Sequence, residues 1–293
     1  MKIIYFSDGF ANQMFQYAFY KKMKMLYKNV YGDLIFYREG RDVHNGYELK
    51  KIFNIEIEEK TTKISRIFFN IRFNKKSLFY KIIYKILSIS NSILYLEDWS
   101  ESIEKKMTKK RINYYIGYWQ SEKFFKDISD EIRKDFSFPK FTSEKNLEIL
   151  KLIKSYNSVS IHIRRGDYLQ NRGFNGLAPL EYYQKAIEYI KNKIENPHFF
   201  IFSNDIEWCR KNLSIENSYY IDWNRGEESY RDMQLMSLCK HNIIPNSTFS
   251  WWGAWLNKNP NKIVIAPEKW FNDCVNIDYS NIVPETWIKI KNY

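Results

Sequence analysis

The chain has 293 residues, 44% of them hydrophobic and 18% aromatic, a size that allows one large core or two smaller ones and favours a two-domain enzyme. Its formal net charge of +12 favours anionic partners such as nucleotides, nucleic acid or acidic lipid headgroups, although the richness in Lys, Asn and Ile also fits a compositional bias. No stretch reaches the roughly 18 apolar residues of a membrane span, and the apolar run before Asp8 is too short for a signal peptide.

The first residues predict a strand, a turn and a helix. Lys2 to Phe6 has the apolar character of a strand, and Gly9 lies in the turn that follows. From Asn12 onward apolar residues recur at helical spacing, at Phe15, Ala18, Phe19, Met23 and Leu26. Val30 to Tyr37 is predicted as a second strand, so a β-loop-α unit opens the chain.

Residues 60–96 form a local anomaly in composition. The block has no acidic residue, and its lysines and arginines are interleaved with phenylalanine, tyrosine and isoleucine. One interpretation is an interfacial helix that contacts an anionic membrane. The alternative is a solvated and partly packed protein face, and the sequence leaves both open.

The second half of the chain alternates strands and helices. A helix begins after Ser143, a strand covers residues 158–163, and Pro179 marks the start of the next helix. Later strands are predicted at His198–Ser203, Tyr219–Asp222, Asn242–Pro245 and Lys262–Pro267, with helices at Asp205–Leu213, Glu228–Cys239 and Phe249–Asn257. This alternation predicts a parallel sheet with helices on both faces. Pro139 and the change of pattern place a division between residues 135 and 157, which gives domains 1–145 and 146–293.

The strand at 158–163 leads directly into two arginines, Arg164 and Arg165, followed by Gly166 and Asp167. Open α/β sheets bind ligands at the carboxyl ends of their strands, and a guanidinium fork contacts two phosphate oxygens at once. This arrangement therefore predicts a polyphosphate site. The alternative is an Arg-Asp pair that only closes a turn.

Three motifs give the chain a family resemblance. S-I-H-I-R-R-G-D-Y, residues 160–168, resembles the signature of the α-1,2-fucosyltransferases of glycosyltransferase family 11. G-F-A-N-Q-M-F-Q-Y-A, residues 9–18, and N-S-T-F-S-W-W-G-A-W-L, residues 246–256, are similar to the first and last motifs of that family. The resemblance spans nearly the whole chain and is weakest at residues 40–110.

The resemblance implies an α/β, GT-B-like fold of two facing Rossmann-like domains with parallel sheets, the first on the acceptor side and the second binding the GDP-sugar. The implied activity is inverting transfer of L-fucose from GDP-β-L-fucose to the 2-OH of a galactoside during synthesis of a surface glycan, such as lipopolysaccharide or capsule. Alternatives are another GDP-sugar or a non-galactoside acceptor. A basic protein that binds membrane surfaces or nucleic acid is a different class, and no RNP, KH or zinc-finger pattern supports nucleic acid.

Departure of GDP requires stabilisation of the negative charge on its β-phosphate. The chain has no D-x-D motif, so we expect no metal and no cofactor apart from the donor substrate GDP-fucose. By resemblance Arg164 is the main β-phosphate ligand, whereas Arg165, on the opposite side of an extended segment, is expected to pair with Asp167 and brace the loop. A helix start that suits phosphate, or else ordinary capping, is predicted at Ser247, Thr248, Phe249 and Ser250.

Guanine offers two adjacent N–H donors that one carboxylate can accept together. Asp232 is the candidate, because more distant fucosyltransferases place a guanine-binding aspartate at a similar spacing before the last motif. His162, Ser203 and Asn204 are expected to line the same nucleotide site. Taken alone, Asp232 is typical of a solvated helix residue, and His162 of a satisfied core histidine.

The first motif forms a strand-turn-helix loop that is expected to approach the pyrophosphate or fucose through Gly9 and Gln13. Asn12 is placed near the glycosidic oxygen, and Asp8 is a candidate general base or else a turn former. Ala11 stands where the family has a second glycine, so the backbone there must tolerate a Cβ. An oligosaccharide acceptor is expected to contact the first domain and residues 40–110.

The three cysteines are far apart and form no C-x-x-C pair. This usage predicts reduced thiols and a cytoplasmic location. The inner face of the cytoplasmic membrane is a peripheral site if residues 60–96 bind lipid. No pattern predicts an oligomeric state.

Overall fold

The computed structural model of the chain describes residues 1–39, 45–73, 82, 85, 86, 94–96, 114–275 and 278–292. The chain divides into two compact units, Met1–Pro139 and Lys140–Tyr293. This division falls inside the predicted interval and a few residues before the predicted domain limit at 145.

The first unit is built on a parallel sheet. Its strands are β1 (Lys2–Tyr5), β2 (Val30–Asp33), β3 (Leu94–Leu96) and β4 (Tyr114–Ile116). They run in the order β2-β1-β4-β3, and every pair is parallel. Ile3 and Tyr5 of β1 pack with Phe36 and Phe68, so the sheet and its covering helices share one core.

β2 ends at Asp33 and not at Tyr37, because the Asp33 side chain turns the backbone. Its Oδ1 accepts a hydrogen bond from the Ile35 amide at 3.1 Å, and Ile35–Arg38 then forms the short helix α2. The predicted strand at residues 34–37 is therefore wrong. A local side-chain-to-backbone bond offered the chain an alternative to the strand ladder.

Helix α1 (Phe10–Leu26) begins two residues before the predicted start at Asn12. Its predicted apolar positions are buried from Phe15 to Met23, whereas Leu26 in the last turn is exposed. Each fully buried large apolar side chain contributes about 1.5–3 kcal/mol, so this face fixes the helix on the sheet. The other helices of the unit are α3 (Leu49–Phe53), α4 (Lys63–Phe73) and α5 (Ser129–Asp135).

The structure describes part of the basic block at residues 60–96. Within α4, Phe68 and Phe69 are buried beside Tyr5 and Tyr114, which agrees with the packed-face interpretation for this part. The basic residues that suggested membrane contact include three that lie outside the described residues, Lys75, Lys76 and Lys81. Membrane contact by this block stays a prediction.

The second unit contains a longer parallel sheet. Its strands are β5 (Asn157–Ile163), β6 (Pro197–Ser203), β7 (Ser218–Ile221), β8 (His241–Ile243), β9 (Val264–Pro267) and β10 (Ile288–Ile290). Their order is β10-β9-β8-β5-β6-β7, with parallel pairing throughout. The strand β10 was not predicted.

Helices cover both faces of this sheet. They are α6 (Glu144–Ser155), α7 (Leu180–Lys191), α8 (Ile206–Asn212), α9 (Tyr230–Leu238) and α10 (Thr248–Leu256). Alternate residues of β6 pack on opposite sides: Phe199 and Ile201 join the cluster of Tyr183, and Phe200 joins that of Leu235. This two-residue period is that of a strand buried on both faces. The α/β class with parallel sheets in two units is confirmed.

Candidate active site

Three of the predicted segments meet at the carboxyl edge of the second sheet. In a parallel sheet this edge collects the loops that follow the strands. β5 and β6 end in register, with Ile163 beside Ser203, so Arg164 and Asn204 begin neighbouring loops. β8 pairs with β5 on its other side and leads to the segment 246–250.

Arg165 braces the loop after β5. Its amide donates to Asn204 Oδ1 at 2.9 Å, and its Nε donates to Asp205 Oδ2 at 3.2 Å. Its guanidinium carbon lies 4.0 Å from the centroid of the Trp208 ring. The predicted partner Asp167 has a side chain that lies outside the described parts of the chain, and the carboxylate seen on Arg165 is that of Asp205.

Asp205 has a second role in the same corner of the sheet. Its Oδ1 accepts a hydrogen bond from the Trp208 amide at 3.2 Å and caps α8, while its own amide donates to Ser203 Oγ at 2.9 Å. Asn204 therefore links the loops that follow β5 and β6, whereas Ser203 shapes the loop after β6. Both predicted donor-site residues contribute here to the shape of the loop.

Arg164 is half-buried beside Tyr168. Its guanidinium carbon lies 5.5 Å from the centroid of the Tyr168 ring, and that ring stacks on Phe174 at 4.8 Å. The Tyr168 hydroxyl donates to the Asn246 carbonyl at 3.2 Å. The motif at 160–168 is thus bonded to the motif at 246–256, which explains why both belong to one site.

Helix α10 begins beside this loop with Ser247 as its N-cap. The Ser247 side chain makes no capping hydrogen bond, so ordinary capping does not account for it. Thr248 and Phe249 are half-buried in the first turn, where the helix dipole favours an anion. Ser250 differs, because it is fully buried and its hydroxyl donates to the Ser247 carbonyl at 3.3 Å.

His162 is a neutral imidazole at the end of β5. Burial and, second, the neighbouring Arg164 cation lower its pKa to about 3. Its ring centroid lies 5.7 Å from that of Phe249. Among the described residues no hydrogen-bond partner is found for its buried Nδ1, so it is not the satisfied core histidine of the alternative reading.

Asp232 lies in the first turn of α9 and is not an ordinary solvated helix residue. Burial raises its pKa to about 7, and the negative charge of Asp222 adds to the rise. A hydrogen bond opposes this shift: Asn224 Nδ2 donates to Asp232 Oδ1 at 2.8 Å. A carboxyl group whose pKa is shifted to near neutrality is a common mark of a functional site.

In the first unit, Asp8 has the strained backbone conformation of the turn that follows β1. Asp8 has a left-handed φ of +65°, whereas Gly9 is extended and caps α1. Ala11 is the second residue of α1, a helical position that any L-residue adopts, so the family's second glycine is not needed here. The Asp8 carbonyl accepts a hydrogen bond from the Tyr37 hydroxyl at 2.8 Å, which helps to fix the turn.

The Asp8 carboxylate is held by two hydroxyls. Ser7 Oγ donates to Asp8 Oδ2 at 2.7 Å, and the Tyr118 hydroxyl donates to the same oxygen at 2.9 Å. Asn12 Oδ1 accepts a hydrogen bond from Gln120 Nε2 at 2.9 Å. The carboxyl edge of the first sheet thus presents an anchored carboxylate and an anchored amide.

Gln13 has a structural role in the same loop. It is fully buried, its Nε2 donates to the carbonyls of Asp8 and Gly46, and its Oε1 accepts from the Glu48 amide. All three bonds are within the first unit. Its side-chain amide holds the loop, and the approach of this loop to the donor stays a prediction.

Several side chains at the two edges were missed by sequence reasoning. Tyr118, Gln120 and Asn224 each follow the carboxyl end of a strand, and that position is the signal that could have found them. Trp208 and Asn146 lie in the first turns of α8 and α6, so their positions in the sequence gave no indication that they belong to the site.

Among the described residues, no helix is long and apolar enough to cross a membrane. Within the same ranges, no group of three or more His, Cys, Asp and Glu side chains is arranged to hold a metal ion. The cations and helix start at the edge of the second sheet are the groups that can meet negative charge there.

The sequence model of glycosyl transferase family 11 matches residues 3–291 of the chain. An alpha-1,2-colitosyltransferase of Escherichia coli is 35% identical over 97% of this chain and 97% of its own length. The O-antigen biosynthesis glycosyltransferase WbnK of Escherichia coli is 32% identical over 97% of this chain and 98% of its own length. A galactoside alpha-(1,2)-fucosyltransferase 1 of Saimiri boliviensis boliviensis is 30% identical over 48% of this chain and 42% of its own length.

Proposed function

Because this chain belongs to glycosyl transferase family 11, we propose that it transfers L-fucose from GDP-β-L-fucose to the 2-OH of a galactoside, with inversion at the anomeric carbon. The observation that carries the proposal is the set of groups in the second unit. The Arg164 charge lowers the pKa of the neutral His162, whose ring lies 5.7 Å from that of Phe249. Phe249 packs against the apolar cluster of α9, the helix that carries the Asp232 carboxylate.

The donor site follows from charge. Arg164 and the amino end of α10 supply positive charge and backbone N–H donors for the pyrophosphate. Asp232 accepts two hydrogen bonds from guanine, while Phe249 and His162 line the base or ribose. The cations and amides stabilise the charge on departing GDP, so the proposed reaction needs no metal.

The acceptor chemistry is assigned to the first unit. In an inverting displacement the acceptor oxygen attacks the anomeric carbon, the bond to the β-phosphate oxygen breaks, and the acceptor proton passes to a base. We assign the base to Asp8, because its carboxylate is fixed by Ser7 and Tyr118. We assign to Asn12, whose Oδ1 accepts a hydrogen bond from Gln120, the bond to the glycosidic oxygen.

A second donor has support from one relative. The alpha-1,2-colitosyltransferase covers 97% of the chain at 35% identity, so GDP-colitose is the alternative donor. Colitose lacks the 3-hydroxyl of fucose, and a site that bonds this hydroxyl rejects the deoxy sugar strongly. The O-antigen biosynthesis relative, which is matched over 97% of this chain, supports a surface-glycan acceptor.

A ligand panel tests the donor. We expect GDP-fucose to raise the Tm of the protein most, GDP-colitose to follow, and UDP-galactose and a single-stranded oligonucleotide to have no effect. A larger rise in Tm with GDP-colitose than with GDP-fucose would show that the donor sugar is colitose, and the proposed nucleotide, GDP, would stand. Stabilisation by UDP-galactose or by the oligonucleotide, with none by GDP-sugars, would contradict the proposal.

A further inference from the structure

A network of side-chain amides surrounds the Asp232 carboxylate. Asn224 Nδ2 donates to Asp232 Oδ1 at 2.8 Å and to Asn146 Oδ1 at 3.1 Å. Asn146 Nδ2 donates in return to Asn224 Oδ1 at 2.9 Å. Trp223 Nε1 donates to Asn146 Oδ1 at 2.8 Å. Four side chains from α6, the end of β7 and α9 thus form one chain of hydrogen bonds.

The direction of every bond in this chain follows from its tryptophan. An indole N–H can only donate, so the Asn146 oxygen must face Trp223. The Asn146 nitrogen must then face the Asn224 oxygen, which leaves the Asn224 nitrogen facing Asp232. The reverse orientation of Asn224 would bring an amide oxygen against a carboxylate oxygen, and that contact is repulsive.

The network has a buried residue, Asn146, at its centre. Asn146 is 2% exposed, and a buried amide is costly unless its polar atoms are bonded. An apolar residue at either asparagine position would fill the same space without that requirement. The arrangement directs one N–H donor at one oxygen of Asp232 and fixes the plane of the carboxylate.

We propose that Asn224 and Asn146 are positioning residues that hold the Asp232 carboxylate in one orientation, so that the site favours a purine with two adjacent N–H donors over one with a single donor. This role rests on the proposed function, since it requires Asp232 to accept hydrogen bonds from guanine. It adds the residues through which guanine is distinguished from hypoxanthine, which lacks the exocyclic amine.

The charges around Asp232 give the inference a second consequence. Asp222 raises the pKa of this carboxyl, and the Asn224 bond lowers it. Arg231 on α9 is paired with Glu228 at 3.0 Å, and Lys145 on α6 lies 5.6 Å from the Trp223 ring. Loss of the Asn224 donor removes a group that stabilises the ionised form, so the pKa rises further. Acid should then weaken GDP binding at a higher pH than in the wild type.

The test is calorimetric titration of GDP and IDP into the wild type, Asn224→Ala, Asn146→Ala and Asp232→Asn, from about pH 5 to pH 9. Asn259→Ala is the matched control, because the Asn259 side-chain amide also donates a hydrogen bond, to the Lys240 carbonyl at 2.9 Å, but this residue precedes β9 at the opposite sheet edge. Melting curves identify folded variants. If Asn224→Ala does not fold, Asn146→Ala carries the same expectation.

We expect Asn224→Ala to weaken GDP binding about tenfold, the loss of one oriented bond to a charged group, with a smaller effect on IDP. The midpoint of the acid loss of GDP affinity should move to higher pH, and Asn259→Ala should keep both wild-type values. An unchanged GDP-to-IDP ratio and midpoint in Asn224→Ala and Asn146→Ala, with weakened GDP binding in Asp232→Asn, would overturn the positioning role alone. Unchanged GDP binding in Asp232→Asn would also overturn the proposed guanine site at Asp232.

Discussion

Arg164 and Arg165 are adjacent in sequence, but their side chains make different contacts, which indicates different roles. Arg165 is committed to Asp205 and Trp208, and its amide is bonded to Asn204. Arg164 lies against Tyr168, whose hydroxyl is bonded to the segment before α10. This contrast supports Arg164 as the phosphate ligand and Arg165 as the brace.

We therefore expect Arg164→Lys to lower kcat about 10²- to 10³-fold while KM for donor changes less, because lysine keeps the charge and loses the two-pronged contact. Arg165→Lys should lower the free energy of unfolding by about 1–2 kcal/mol through the loss of the Trp208 and Asp205 contacts, with a smaller fall in kcat. Steady-state kinetics and melting curves of both variants measure this. A more severe catalytic defect in Arg165→Lys would exchange the two roles.

Asp232 links the site to stability. The folded-state pKa is raised from 3.8 to about 7, mainly by burial, so the ionised carboxylate is disfavoured in the folded protein. The stability that this group contributes is fully present below pH 4 and is lost as the pH rises through about 7. Such a cost is typical of a group retained for binding.

Asp232→Asn should therefore make the ligand-free protein more stable, by on the order of 2 kcal/mol at pH 8, with the gain vanishing towards pH 4. The asparagine oxygen can still accept the Asn224 bond, so the network is kept. Chemical denaturation of wild type and variant across this range measures the effect. Parallel stability curves at every pH would show that the carboxylate is not buried at a cost.

At the scale of elements, the close approach of the loops after β5 and β6 depends on Gly166. A Cβ at this position would lie 2.4 Å from Asn204 Nδ2, the side chain that accepts the Arg165 amide through its oxygen. The need for glycine at this position cannot be predicted from the sequence R-R-G-D, because Asn204 is distant along the chain. Gly166 is thus a packing glycine between two strand ends.

Gly166→Ala should displace Asn204, weaken GDP binding about tenfold and lower the free energy of unfolding by about 1 kcal/mol. A double-mutant cycle with Asn204→Ala provides the control, because removing the Asn204 side chain removes the clash. On the Asn204→Ala background the glycine substitution should cost little. Equal losses on both backgrounds would place the effect of Gly166 elsewhere.

Strands and helices were predictable where apolar residues are buried at a regular spacing. They were less predictable where one polar side chain or a distant strand determines where an element ends or forms. The strand predicted at 158–163 and the helix predicted at Asp205–Leu213 are confirmed by the structure, which has them at Asn157–Ile163 and Ile206–Asn212. The end of β2 depends on one bond from Asp33, and β10 on pairing with the distant β9. Neither is visible in local pattern.

The site was predictable to a similar degree. Motifs gave Arg164, His162 and Phe249, and the spacing before the last motif gave Asp232. The contacts that these side chains make, including the bond from Asn224 to Asp232, are defined by tertiary structure. Gln13 shows the opposite case, because its place in a motif suggested ligand contact and its buried bonds show a structural role. Motif position alone does not separate these two uses of a polar side chain.

At the scale of the whole molecule, the proposed catalysis uses protein cations and amides where other sugar-nucleotide enzymes use a metal. Full activity should survive excess EDTA, since Arg164 and the start of α10 supply the positive charge at the leaving group. Initial rates with EDTA, and with Mn²⁺ or Mg²⁺ added back, measure this. Loss of activity in EDTA with recovery on addition of either metal would contradict the prediction.

The proposed reaction is tested most directly by the structure of its product, determined by NMR after incubation of the protein with GDP-β-L-fucose and a galactoside. We expect an α-linked fucose on the 2-OH of the galactose and release of GDP at the same rate, with Arg164→Lys forming little product. A β-linked product would contradict inversion, and no transfer from GDP-fucose under conditions that support transfer from another nucleotide sugar would contradict the proposed donor.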